Sequence, residues 1–211
     1  MLLYEGFSGQ KTSISSRNIT GDNSLVIKYK TEILRGSCPM PEFIQNYVDV
    51  KRFLGFCKVC KNYNKRWSCS PHDFSSIEFL NQYSDVRLIE LLIKPDKKAL
   101  RGLVCEDYSV PDEINEMIKI EKKRLTKYMR REEKQVHNSM YLFAGACEIC
   151  ERCTRQDGLP CRYPHLMRYS IESLGIDLSK ISENFFNVKV GWMKGNEFPD
   201  HLILICALLI K

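Results

Sequence analysis

Seven cysteines of this chain fall into two groups with nearly the same internal spacing. The first group is Cys57-x2-Cys60-x8-Cys69, and the second is Cys150-x2-Cys153-x7-Cys161, preceded by Cys147 at a further interval of two residues. Such spacing brings several thiolate sulfurs around one small volume, which is how a protein holds an inorganic cofactor. The sequence therefore predicts two metal-binding loops.

The second group favours an iron–sulfur cluster. One tight loop supplies three thiolates to a cubane cluster and a fourth comes from elsewhere, and here Cys161 is the fourth candidate. The run resembles that of a bacterial ferredoxin, although its last interval is longer. Zinc is the alternative metal, because it is commonly held by two separated Cys-x2-Cys pairs. A triple at two-residue spacing, however, leaves one thiol awkwardly placed for a single zinc ion.

The first group has only three local thiols, since Leu54 stands where the second group has Cys147. Two possibilities follow. Cys38, in a Gly-Ser-Cys-Pro loop, completes a closed site, or the fourth position stays open to water, substrate or a side chain such as His72. An open iron binds and polarises a small ligand, whereas a closed cluster mainly moves electrons. We take Cys38 as the fourth ligand and keep the open site as the alternative. The predicted ligands are Cys38, Cys57, Cys60, Cys69, Cys147, Cys150, Cys153 and Cys161, holding two [4Fe–4S] clusters.

Other residues with metal-binding chemistry receive weaker predictions. Cys206 lies in an apolar strand pattern and Cys105 has no partner at ligand spacing, so we expect neither to bind metal. His72 and His165 each follow a proline after the last cysteine of a group, and we expect them to hydrogen-bond near the site rather than to ligate. The arginines of the second loop either tune a cluster or dock an anionic partner, or else pair with nearby acids; they are Arg152, Arg155, Arg162 and Arg168.

Bulk composition limits the class of protein. A chain of 211 residues with 44% hydrophobic residues fits one domain with its own core. No secretory signal is visible, so the ten cysteines are expected to be reduced and the protein cytoplasmic. The longest apolar run, Leu202 to Ile210, is too short for a membrane span. The basic stretch from Lys119 to Lys134 is interpreted as a solvated helix face, because no aromatic residues alternate with the basic ones as in nucleic-acid binders.

Hydrophobic periodicity predicts strands and helices in alternation. The predicted strands are Ser24–Leu34, Asp85–Lys94, Met140–Ala146, Asn187–Trp192 and His201–Ile210. The predicted helices are Glu42–Phe53, Ser75–Tyr83, Pro111–His137, Pro164–Leu174 and Leu178–Phe185. We therefore expect an α+β fold with a flexible N-terminal arm (1–23) and one cysteine-rich metal-binding domain (24–211). Its mixed sheet should be mostly antiparallel, with helices on one face and two cysteine-rich loops.

Several ordered motifs resemble one family. They are Cys57-x2-Cys60, Tyr63-x3-Trp67-Ser68-Cys69-x-Pro71, Cys147-Glu-Ile-Cys150-Glu-Arg-Cys153, Pro160-Cys161-Arg162-Tyr163-Pro164 and Arg168-x-Ser170-x-Glu172-x-x-Gly175-Ile176-Asp177. Over roughly residues 33–210 the chain is similar to the predicted cysteine-rich metal-binding proteins of domain of unknown function 2284. Ser70 stands where family members often have the first proline of Cys-Pro-Pro. The resemblance implies metal binding of the iron–sulfur type and supplies no reaction.

Three functions compete at this point. The first is an iron–sulfur protein that transfers electrons with a redox partner protein. The second is an enzyme that uses an open iron in the first group for non-redox chemistry, such as dehydration or sulfur removal. The third is a zinc-stapled binding module that engages an acidic partner. Whether the protein is an enzyme is left open by the sequence, and we expect no membrane or nucleic-acid partner.

Overall fold

The fold is built on a single antiparallel sheet. The structure, a computed structural model, describes residues 10–20, 26–100, 110–191 and 198–211. Within these residues, five strands follow one another across the sheet in the order β1-β2-β3-β5-β4. Their bounds are β1 Gln10–Thr20, β2 Val26–Pro39, β3 Asp85–Pro95, β4 Ser139–Leu142 and β5 Leu202–Ile210. Every pairing in the sheet is antiparallel, where the sequence predicted a mixed sheet that is mostly antiparallel.

One long helix and several short ones surround the sheet. The helices are α1 Met40–Tyr47, α2 Val50–Val59, α3 Ser76–Leu80, α4 Lys97–Leu100, α5 Asp112–Gln135 and α6 Leu178–Lys180. The turns Thr154–Asp157 and Ile171–Leu174 are 3₁₀ helices, and Ile181–Phe185 is a π-helical turn. Within the described residues, no helix combines the length and the apolar character that a membrane crossing requires.

Both faces of the sheet are covered, because β5 is apolar on both sides. Ile205, Ala207 and Leu209 pack with α1, α3 and the turn Ile171–Leu174. The alternate residues Cys206 and Leu208 pack with α5 on the other face. The predicted class, a single α+β domain with an antiparallel sheet, is confirmed. The expected placement of helices on one face is refined, since α5 covers one face and the short helices cover the other.

The helix that was predicted over Glu42–Phe53 is two helices. Val48 has extended backbone (φ −115°, ψ 119°) and forms an isolated bridge with Ile176. Asp49 then caps α2, accepting a hydrogen bond from the Arg52 N–H at 3.0 Å. Val48 ends α1, because it is β-branched and pairs with a distant segment in extended conformation. Asp49 starts α2, because Asp is a favoured N-cap residue.

Three further segments differ from the prediction. Residues 164–170 form no helix, because the Tyr169 carbonyl accepts from the Phe143 N–H at 2.8 Å and the Ile171 N–H donates to the Phe143 carbonyl at 2.9 Å. Residues 187–191 form no strand, since β5 already has β3 and β4 on its two sides; Trp192 lies outside the described residues. Gln10–Thr20, expected in the flexible arm, is a strand that pairs with the outer edge of β2. An unpaired edge of β2 would leave backbone groups without partners.

Candidate metal centre

The second cysteine group is carried by a loop that leaves the sheet after β4. Gly145 adopts a positive φ of 73° and turns the chain into the cysteine triple. After Cys153, the 3₁₀ helix Thr154–Asp157 ends at Gly158, again with a positive φ of 68°. The Thr154 hydroxyl donates to the Pro160 carbonyl at 2.8 Å and so closes the return toward Cys161. These turns bring Cys147 and Cys161, which are fourteen positions apart, to the lining of the same cavity.

All four thiols of this group line one small cavity. The cavity has a volume of about 20 Å³ and is also lined by Arg66, Trp67 and Ser68 of the first loop. Burial raises the pKa of Cys147; a backbone hydrogen bond at Ile149 lowers it, and the neighbouring thiols Cys161, Cys150 and Cys153 raise it again. Thiols that repel one another in their ionised forms can all be thiolates only when a cation lies among them.

The first group lies at the end of α2. Cys57 occupies the last turn of the helix, and Cys60 is its C-cap residue, whose N–H donates to the Cys57 carbonyl at 3.0 Å. Asn64, in the left-handed region with φ 53°, reverses the chain, and its N–H donates to the Ser70 carbonyl at 2.8 Å. Asn tolerates this conformation better than other non-glycine residues. The reversal returns Cys69 to the neighbourhood of Cys57 and Cys60.

A large cleft opens over the first group. It has a volume of about 800 Å³, and all three thiols line it together with aromatic and charged side chains. Burial raises the pKa of Cys57 and of Cys69; the thiol neighbours and the carboxylate of Glu172 raise both further, against lowering hydrogen bonds from Ser70 and Ser68. Glu172 itself lines the cleft. The first site is therefore three thiols and a carboxylate facing open space.

Cys38 lies apart from both groups. It is the second-to-last residue of β2, where it is paired with Val86 of β3, and it is only 1% exposed in the core beside Met40. Its thiol donates to the Pro39 carbonyl at 3.4 Å. Burial, then the charges of Glu42 and Asp85, raise its pKa to about 12. Among the described residues, Cys38 lines neither the small cavity nor the cleft.

The two cysteine loops are joined by direct hydrogen bonds. The fully buried Ser68 accepts from the Cys147 N–H at 2.9 Å, and its hydroxyl lies 3.5 Å from the Cys69 sulfur. Arg66 donates to the carbonyls of Cys147 (3.0 Å) and Cys150 (3.3 Å). Ser68 thus contacts one cysteine of each group, and the two sites are neighbours.

Arg155, in the second cysteine loop, donates hydrogen bonds to the first loop. Its guanidinium donates to the Arg66 carbonyl at 3.1 Å, to the Cys69 carbonyl at 2.7 Å and to the Pro71 carbonyl. It also lies 4.9 Å from the ring centre of Trp67. The planar guanidinium of Arg155 thus donates to three backbone carbonyls near the thiols of the first group.

The other arginines of the second loop are engaged within the chain. Arg152 pairs with Asp157 at 2.6 Å, and Arg162 donates to the Arg152 carbonyl at 3.1 Å. Arg168 forms a two-pronged pair with Glu133, at 2.7 and 2.8 Å. The sequence left open whether these arginines act on a cluster or partner, or pair with acidic residues. Arg152 and Arg168 pair with acidic residues.

The histidines stand outside the thiol sets. His72 Nε2 lies 2.9 Å from the Ser173 hydroxyl, and its ring stacks on Phe74 with a centroid distance of 4.9 Å. Burial and then the charge of Arg155 lower its pKa to about 4, so the ring is neutral at physiological pH. His165 is exposed. Cys206 is buried in β5, where burial raises its pKa to about 12, and Cys105 lies outside the described residues.

No three His, Cys, Asp or Glu side chains in the described part of the chain are close enough to hold a single metal ion. The thiols line shared spaces without converging on one point.

Sequence reasoning did not single out Ser68 or Glu172 as site residues. Both lie inside the motif segments on which the family resemblance rests, Trp67-Ser68-Cys69 and Ser170-x-Glu172, and this was the available signal. Their positions depend on contacts between segments about a hundred residues apart, such as the bond from Ser173 Oγ to the Ser68 carbonyl at 3.1 Å.

Comparison with known proteins supplies one match. No curated protein and no solved structure shows significant similarity to the chain. The family model described as predicted metal-binding protein, DUF2284, matches residues 44–210. This range includes all seven cysteines of the two groups and the strands β3, β4 and β5, so the chain belongs to the DUF2284 family of predicted metal-binding proteins.

Proposed function

We propose that this protein is an iron–sulfur redox protein with two [4Fe–4S] sites. In this proposal, Cys147, Cys150, Cys153 and Cys161 hold a closed cluster that carries electrons. Cys57, Cys60 and Cys69 hold a second cluster whose fourth position faces the cleft. The observation that carries the proposal is the division of the seven thiols into four around a small cavity and three around a large cleft.

The donor set of the second group fits such a cluster. Four thiols line the cavity, and its lining contains no His, Asp or Glu; four thiolates are the ligands of a cubane. The triple at two-residue spacing and Cys161 together supply the four thiolates that the separate irons of a cubane take.

The donor set of the first group fits a cluster with one exchangeable position. When bound there, an iron–sulfur cluster supplies a redox centre with an iron open to a small ligand. The chain's own residues provide a cleft that admits the ligand and a carboxylate, Glu172, beside the thiols. Ser68, which contacts Cys69 and Cys147, offers a short route between the two sites.

The partner in this function is a redox protein that reduces or oxidises the closed cluster. Thiols of such clusters must remain reduced before metal is inserted, which is the condition of the cytoplasm. We propose that the protein works there.

A non-redox enzyme with an open iron in the first site is the second candidate. The burial of Cys38 in the core and the size of the cleft favour it. In that case substrate turnover would continue while both clusters stay in one oxidation state.

A zinc-stapled binding module is the third candidate. The small volume of the second cavity, about 20 Å³, favours it, because this is room for little more than a water-sized particle.

The deciding experiment is the iron, zinc and acid-labile sulfide content of anaerobically purified protein, with visible spectra before and after dithionite. We expect about eight irons with matching sulfide and bleaching on reduction. Cys150→Ala should lose about half of the iron, and Cys206→Ala, which removes a buried thiol outside both groups, should lose none. Zinc without sulfide would overturn the proposal, and clusters that do not bleach would favour the non-redox enzyme.

A further inference from the structure

The cleft over the first cysteine group has the size of a binding site for a small organic molecule. Its volume of about 800 Å³ lies within the range of about 300–1,000 Å³ that such sites occupy. Three aromatic side chains line it, Phe53, Phe56 and Tyr63. The cleft is also lined by charged side chains, among them Glu172, Glu183 and Asp177, the last of which is engaged by Arg52 and by the Lys180 N–H. Aromatic surface combined with placed polar groups is the usual composition of a ligand site.

The aromatic wall offers an unoccupied ring surface. Phe56 is 59% exposed although it is a large apolar residue. It meets Phe53 edge to face, with ring centres 5.8 Å apart and an interplanar angle of 66°. The guanidinium of Arg52 lies 5.5 Å from the centre of the Phe53 ring. A further ring placed against Phe56 would extend this arrangement, and such ring pairs stabilise beyond the burial of their surface.

Glu172 is a fixed hydrogen-bond acceptor in the same cleft. Its Oε2 accepts from the Gly145 N–H at 3.2 Å and from the Ser170 hydroxyl. In the part of the chain that the structure describes, Oε1 accepts no hydrogen bond, so one oxygen of an anchored carboxylate remains available. A carboxylate held in this way selects a ligand that donates an N–H or O–H group, because hydrogen bonds to charged acceptors are the stronger ones.

We propose that the cleft binds a small planar heteroaromatic molecule whose N–H group donates to Glu172 and whose ring packs on Phe56. The inference rests on the proposed function only in that the bound molecule then lies beside the first cluster. The anchored carboxylate gives the site its selectivity, and the aromatic wall gives it affinity for the ring.

Isothermal titration calorimetry on anaerobically purified protein with two matched probes tests this. Indole carries a ring N–H and 1-methylindole carries none, and neither offers a good lone pair to iron. We expect indole to bind about tenfold or more tightly than 1-methylindole, as a hydrogen bond to a charged group would give. In Glu172→Gln, which keeps the side-chain shape and removes the charge, this preference should shrink severalfold.

Phe56→Ala should lower the affinity for both probes by the same factor, about 2- to 12-fold. Val59→Ala is the matched control, since Val59 is 87% exposed on the same helix and does not line the cleft; it should leave both affinities unchanged. Equal affinity of the two probes, undiminished preference in Glu172→Gln, or no heat with either probe would overturn the inference.

Iron content measured on the same samples separates this inference from the proposed function. Probe binding to protein that contains zinc and no sulfide would support the cleft and refute the clusters. A protein with about eight irons and no probe binding would refute the cleft and leave the clusters.

Discussion

The sequence predicts Cys38 and Cys57 as ligands of the same first site, and their surroundings in the structure differ. Cys38 is buried in the core with a pKa raised to about 12, chiefly by burial. Cys57 lines the open cleft with Cys60 and Cys69. Burial raises the pKa of both thiols, but Cys57 lies beside two further thiols that can share a metal with it, whereas Cys38 lies in the apolar core.

Alanine substitutions separate these two cysteines. Cys38→Ala is expected to keep its full iron content and visible spectrum, whereas Cys57→Ala should lose the first cluster and about half of the iron. Iron and sulfide assays on anaerobically purified variants provide the measurement. If Cys38→Ala loses as much iron as Cys57→Ala, Cys38 is the fourth ligand after all and the first site is closed.

Glu90 is a buried carboxyl in the middle of β3. Its side chain is fully buried, Oε1 accepts from the Ser182 hydroxyl at 3.2 Å, and Oε2 has no hydrogen-bond partner in the described part of the chain. Burial raises its pKa from 4.5 to about 7, and the Ser182 hydrogen bond opposes this. The carboxyl is thus protonated in the folded protein at pH values where the unfolded chain has released its proton.

The stability of the protein should fall as pH rises from about 4.5 to about 7, because unfolding releases a proton in this window. Glu90→Gln removes that loss. We expect the variant to be more stable than the parent by up to about 3 kcal/mol above pH 7, with the difference vanishing toward pH 4.5. Denaturant unfolding across this range measures it, with the exposed Glu78→Gln as control. A difference that does not vary with pH would contradict the assignment.

Among the elements, the junction between α2 and the turn Ile171–Leu174 holds the two sides of the cleft together. The Asp49 N–H donates to the Gly175 carbonyl at 2.8 Å. Gly175 has a φ of +84°, and a Cβ there would lie 2.6 Å from the Val50 Cα and 2.9 Å from its nitrogen. Only glycine allows this approach, which sets α2 with Cys57 against the segment that carries Glu172.

Gly175→Ala should therefore destabilise the protein and disturb the first site. We expect a loss of about 2–4 kcal/mol, from the left-handed conformation and from the clash with backbone atoms. First-group iron should fall more than second-group iron. The control is Gly158→Ala, which has a φ of +68° but no atom within 4 Å of an added Cβ, and should lose only about 1–2 kcal/mol. Equal effects of the two substitutions would refute the role of the junction.

Elements with a strong period or a single apolar run were predictable from sequence. The helix predicted over Pro111–His137 is α5, Asp112–Gln135, because its apolar stripe and acidic first turn act locally. Residues 164–170 were predicted wrongly as helix, because their backbone pairs instead with Phe143 on a distant segment. Local patterns carry no information about such a partner.

The same distinction applies to the candidate site. The spacing of Cys147, Cys150 and Cys153 suffices to predict that they share one loop. The cleft and the position of Glu172 depend on how α2 meets a turn more than a hundred residues later. Sequence analysis could name the thiols and could not name the space that they face.

At the scale of the whole molecule, the two cysteine loops form one unit rather than two separate sites. Ser68 contacts Cys69 and Cys147, Arg66 donates to the second loop, and Arg155 donates to the first. The two loops are about eighty residues apart in sequence and are joined by these hydrogen bonds. A substitution between the two loops should therefore change the properties of both sites.

Ser68→Ala tests that coupling. The substitution removes the acceptor of the partly buried Cys147 N–H and the hydroxyl beside the Cys69 sulfur, and hydrogen bonds to cluster ligands tune reduction potential. We expect the potentials of both clusters to shift in an EPR-monitored redox titration, and the stability to fall by about 1–3 kcal/mol. Ser139→Ala, whose hydroxyl donates to the carbonyls of Glu133 and Val136, should shift neither potential. A shift confined to one cluster would mean that the loops touch without coupling, and electrons would then need a route between the sites other than Ser68.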